Sequence, residues 1–89
     1  MRNPFVLFNT LFTVTEHLRK ADYTACSDEQ ARLCNDVRAT CVEHWMRLFD
    51  LNPKARESKL RSLNEEELDR LEELISLAKS ACAMVKANA

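Results

Sequence analysis

Cys34, Cys41 and His44 fall on one side of a helical repeat, and Cys82 stands far enough along the chain to reach them from another helix. Three thiols and an imidazole are a donor set that could hold a zinc ion. The spacing argues against it. The chain has no CxxC and no HxxxH pair, and His44 lies roughly 80° off the cysteine line at the helical period. The reading that remains is four reduced thiols, Cys26 included, packed as small apolar residues, with no metal and no cofactor expected. The histidines find no catalytic company either. His17 beside Glu16 and His44 beside Glu43 point away from those neighbours on a helix, and no serine or cysteine is set into a base-assisted pair. The Glu-x-x-His step of di-iron bundles is missing. No catalytic residue is expected and the chain reads as a non-enzyme.

Charge is segregated in the second half. Lys54, Arg56, Lys59 and Arg61 oppose only Glu57, whereas Glu65, Glu66, Glu67, Asp69, Glu72 and Glu73 oppose only Arg70. Acids at a helix start complement its dipole, and a basic connector is ordinarily solvated. The functional alternative is that Arg47, Lys54, Arg56, Lys59 and Arg61 capture a nucleotide, nucleic acid or other anion near the amides at Asn52. The four cations from Lys54 to Arg61 have no aromatic among them, the stacking platform expected of a single-strand binder.

Arg38 is more specific, because helical geometry sets it inside the apolar arc between Cys34, Val42 and Trp45. A charge there snorkels to the edge of the core, pairs with an acid, or faces a partner. Held beside Trp45, it would resemble the Arg and Trp anchors enriched in binding hot spots. Phe5, Phe8 and Phe12 form a second aromatic stripe, whose readings are core or dimer packing, docking of a different protein, and insertion into a membrane surface. Thr10, Thr13 and Asn9 on the opposite side lack the lysine-rich face of an interfacial helix, so no membrane partner is expected.

The elements that must position these residues are helices. With no glycine in 89 residues, phosphate-cradling loops, nucleophile elbows and primed hairpin turns are disfavoured together. A net charge of −1 excludes a basic nucleic-acid binder by bulk charge. The opening apolar stretch is too short and too punctuated by Asn and Thr for a signal core or a membrane span, and is read as part of the fold.

Asn3 and Pro4 start a helix over about 4–21; Ser27 and Gln30 form a capping box for one over 28–51. Asn52 and Pro53 start a short connecting helix over 53–61. Leu63, Asn64, Glu67 and Leu68 combine a staple and a capping box ahead of a helix over 65–87. Leu68, Leu71, Ile75, Ala78, Cys82 and Val85 make one stripe of that last helix, and Leu74, Leu77, Ala81 and Met84 a second, which implies burial against two neighbours.

The expected architecture is all-α: one domain over 1–89, a small antiparallel bundle of three main helices with the short connector. The two long helices pair and the first is laid across or beside them, with the surplus Phe and Leu faces completed by a homo-oligomer, a dimer first. The expected function is binding of another protein by a cytoplasmic adaptor, assembly factor or inhibitor of bacterial or phage type. Phe5, Phe8, Phe12, Arg38, Trp45 and Phe49 would make the partner surface, and the charged 54–73 segment would set orientation and on-rate.

Overall fold

Each helix begins where a side chain satisfies its first free amides. The computed structural model describes residues 2–88. The Asn3 side chain accepts from the Phe5 and Val6 N–H groups at 2.9 and 3.4 Å and starts α1 (Pro4–Lys20). Helix α1 stops one residue earlier than expected, because Ala21 turns extended and the Tyr23 hydroxyl folds back to donate to the Leu18 carbonyl.

The reciprocal box at the start of α2 (Asp28–Phe49) is closed by Gln30 N–H to Ser27 Oγ at 3.1 Å and Ser27 N–H to Gln30 Oε1 at 3.0 Å. We expect Ser27→Ala to cost about 1 kcal/mol, read as a lower urea midpoint at constant slope. Asn52 accepts from the Ala55 N–H at 2.9 Å and starts α3 (Pro53–Arg61). Asn64 and Glu67 exchange bonds at 2.8 and 3.3 Å ahead of α4 (Glu65–Asn88).

Helices α1, α2 and α4 pack on one another, and α3 packs beneath α1 and α2 with Leu60 as its buried foot. The directions follow from contacts at the ends. Arg2 pairs with Glu65, Asp69 and Glu72, so α1 and α4 start together and run parallel. The Asn88 amide donates to Gln30 Oε1 at 3.1 Å, so α4 ends where α2 begins and α2 runs against both. The all-α antiparallel bundle is therefore the fold. Of the two placements expected for α1, across or beside the long pair, the second holds, and one detail differs: the most extensive pairing is α1 with α4 rather than α2 with α4.

That pairing changes what is left over. Leu11, Leu18, Cys34, Cys41 and Ala78 have no exposed surface. Leu74 and Ala81, placed on the surplus stripe of α4, are buried, and Met84 packs against the core. Both stripes of α4 are thus covered within one chain, by α1 and α2, and only Leu77 stays out at 51% exposure. Among the described residues no helix is long and apolar enough to cross a membrane.

Candidate functional site

The antiparallel α1–α2 seam brings the two aromatic stripes together. Phe8 meets Phe49 at 6.0 Å between ring centroids, and Phe12 meets Trp45 at 5.6 Å and Phe49 at 6.2 Å. Trp45 and Phe49 stand edge-on at 5.3 Å and 89°. Exposure grades across the four: Phe8 is buried, Trp45 half-buried, and Phe12 and Phe49 are open at 38% and 43%. Met46, 44% exposed and one turn before Phe49, widens the open edge. Phe8, expected as a partner anchor, is therefore a core residue, because it lies at the base of the seam. The Trp45 indole Nε1 is shut off from solvent without a hydrogen-bond acceptor. Neighbouring π faces are the weak acceptors such an N–H has in an aromatic cluster.

Arg38 lies two turns before Trp45 on the same line of α2 and is half-buried. It makes no side-chain hydrogen bond or ion pair among the described residues. The cation that lies over an aromatic ring of the seam is Arg56, 4.6 Å from the Phe49 centroid, rather than Arg38 beside Trp45. Phe5 is separate from the cluster. It is half-buried under the Arg61 guanidinium, 5.5 Å from its ring, at the end of α1 nearest α3.

The five cations expected to hold an anion do not converge. Arg56 donates to the Leu48, Leu51 and Phe49 carbonyls at 3.2, 3.3 and 3.5 Å. It thereby caps the free C-terminal carbonyls of α2, a task usually met by glycine geometry, and this chain has no glycine. Arg61 pairs with Glu57 at 2.8 Å and Arg47 with Glu43 at 2.9 Å. Lys54 is exposed. Arg47 and Lys59 are among the residues lining a cleft of about 390 Å³ on the other flank of α2, floored in part by Phe8 and Leu11. Leu48, Leu51, Leu60, Leu63 and Leu71 line it, with His44, Arg70 and Glu67 also around it.

The acidic run has a structural use beyond complementing the helix dipole, since three of its carboxylates hold Arg2. Those pairs raise the Arg2 guanidinium further above its ordinary range.

The four cysteines are free, and among the described residues no group of three potential ligands comes within reach of one metal. His44 donates locally, its Nδ1–H to the Thr40 carbonyl oxygen at 2.9 Å. Burial pushes the Cys34, Cys41 and Cys82 thiols above their ordinary range, with the Thr15 hydroxyl beside Cys41 opposing part of the rise. The unfolded chain therefore ionises these thiols first, so their contribution to stability is complete below about pH 8.5 and is lost as pH rises beyond it. The expected result is a melting temperature that falls through this alkaline window, and falls less in Cys34→Ala/Cys82→Ala than in the parent. In a thiol-labelling time course at neutral pH, the part-buried Cys26 and Cys82 should react first, and the buried Cys34 and Cys41 only as the bundle opens.

No protein-family model, curated protein or solved structure matches the chain.

Proposed function

We propose that the chain is a non-enzymatic protein-binding module whose docking surface is the open edge of the α1–α2 seam: Phe12, Trp45, Met46 and Phe49, with Arg38 at one end and Arg56 at the other. The observation that carries this is the coincidence of exposed rings with an uncommitted, half-buried arginine on the same line. Aromatic side chains present large rigid area at small entropic cost, and arginine beside them adds a directional charge, the composition in which binding energy concentrates.

The occupant in this reading is a different protein. Of the two apolar surpluses that favoured a homodimer on sequence grounds, that of α4 is largely buried within the chain, and that of α1 stays open at Phe12 in the seam, the edge this reading gives to a foreign protein. A reducing, cytoplasmic setting belongs to the same reading and is supported by four free cysteines, two of them buried.

The binding of a nucleotide, nucleic acid or other anion through residues 47–61 as one site is the weaker reading, because Arg56 is committed to the carbonyls that end α2, and Lys54 and Arg61 do not line the cleft that Arg47 and Lys59 share. Two variants test the proposal together. Phe12→Ser/Met46→Ser should keep the helical circular dichroism and the monomer mass while abolishing partner capture, and Arg38→Glu should weaken capture without moving the melt. Capture that survives the double variant but disappears at high salt would transfer the function to the charged surface.

A further inference from the structure

From the cleft on the flank of α2 away from the open edge of the aromatic seam, with which it shares only the buried Phe8, we infer a second binding site, whose ligand is a free medium-chain fatty carboxylate. The alkyl chain lies on the leucines and the head group sits at the cations of the mouth. Size is the first support: about 390 Å³ is within the range of small-ligand sites.

Backbone chemistry is the second. The lining residues belong to helices or to closed turns, with the Leu51 N–H bonded to the Leu48 carbonyl at 3.1 Å and the Leu63 N–H to the Leu60 carbonyl at 3.4 Å. A peptide entering this floor would bring amide groups that find few partners there, whereas an alkyl chain brings none.

Charge is the third. Arg47, Lys59 and Arg70 stand around the cleft with His44, and among the described residues the one carboxylate that lines it, Glu67, accepts the Asn64 N–H of its helix cap. Glu43 and Glu66 lie outside the lining and each engages only the Nη2 end of Arg47 or Arg70. The other guanidinium donors remain available, and such exposed pairs hold their partners weakly. Lys59 makes no ion pair among the described residues. A carboxylate at this mouth gains charge-assisted hydrogen bonds while its chain leaves water.

The test follows leucine methyl resonances of the full chain during titration with dodecanoate below its micelle concentration. Dodecyltrimethylammonium serves as a probe of equal length and opposite charge. Saturable shifts at Leu60, Leu63 and Leu71 are expected with dodecanoate, and binding about tenfold weaker with the cationic probe. Arg47→Glu/Lys59→Glu should reduce dodecanoate affinity about tenfold or more at an unchanged melt. If that pair disturbs the melt, Lys59→Glu alone supplies the same comparison.

Equal binding of both probes would overturn the inference, because apolar adsorption would then explain it. Shifts centred on Val42 and Met46, or none up to millimolar concentration, would overturn it as well. Tighter saturation by a leucine-ended peptide with a free carboxylate would assign the cleft to a peptide instead.

Discussion

Leu18→Ala should lower the unfolding free energy by about 3 kcal/mol, the largest effect expected of any truncation considered. Leu18 has no exposed surface and belongs to the cluster built jointly by α1, α2 and α4. Its loss removes buried methyl groups and leaves a cavity that three mutually braced helices cannot close by moving one of them. For a domain of this size each kcal/mol shifts the melting midpoint by about 4–8 °C, so the variant should melt more than about 10 °C below the parent. Phe12→Ala should cost only about 1 kcal/mol, because Phe12 is 38% exposed and loses mainly its ring contacts. The contrast matters more than either number. If Phe12→Ala proved as damaging as Leu18→Ala, the seam would be core, and the docking surface would have to be sought elsewhere.

Arg56→Ala is the second large effect, expected at about 2 kcal/mol. A single planar guanidinium serves the Leu48, Leu51 and Phe49 carbonyls and also lies over the Phe49 ring. Removing it frees the end of α2 and loosens the turn into α3 at the same time. Arg56→Lys should recover less than half of the loss, since an ammonium cannot fork across several carbonyls in one plane. Lys54→Ala, an exposed position on the same helix, should stay within about 0.5 kcal/mol. Chemical denaturation of the three variants checks the set. An Arg56→Ala protein as stable as the parent would mean the cap is unused, and would restore Arg56 as a candidate anion ligand.

Local signals were legible because each is written within a few residues. Ser27 with Gln30, Asn52 with Pro53, and Asn64 with Glu67 mark their helix starts by the groups their amides need, and the helices begin there. Helix ends were less legible. Expectation carried α2 to residue 51, and the structure ends it at Phe49, because the terminating group is Arg56, seven residues downstream.

Long-range pairings carried no local sign at all. Arg2 precedes the first helix, and its partners lie more than sixty residues away, so the acidic run looked like a dipole complement alone. Phe8 and Phe12 share a stripe, and periodicity cannot separate them. Their different burial follows from how deep the α1–α2 crossing sets each ring. The second stripe of α4 correctly implied two neighbours, but composition could not tell whether those neighbours came from this chain or another copy. The structure supplies both from within, as α1 and α2.

The docking role of the seam is tested most directly by placing p-benzoylphenylalanine at Met46 and irradiating in the source cell. Leu33, 50% exposed and far along α2, is the control position. One foreign protein should be cross-linked from Met46 and not from Leu33, and the product should be lost when Arg38→Glu is added. Cross-links only between copies of this chain, or the same products from Met46 and Leu33, would contradict it.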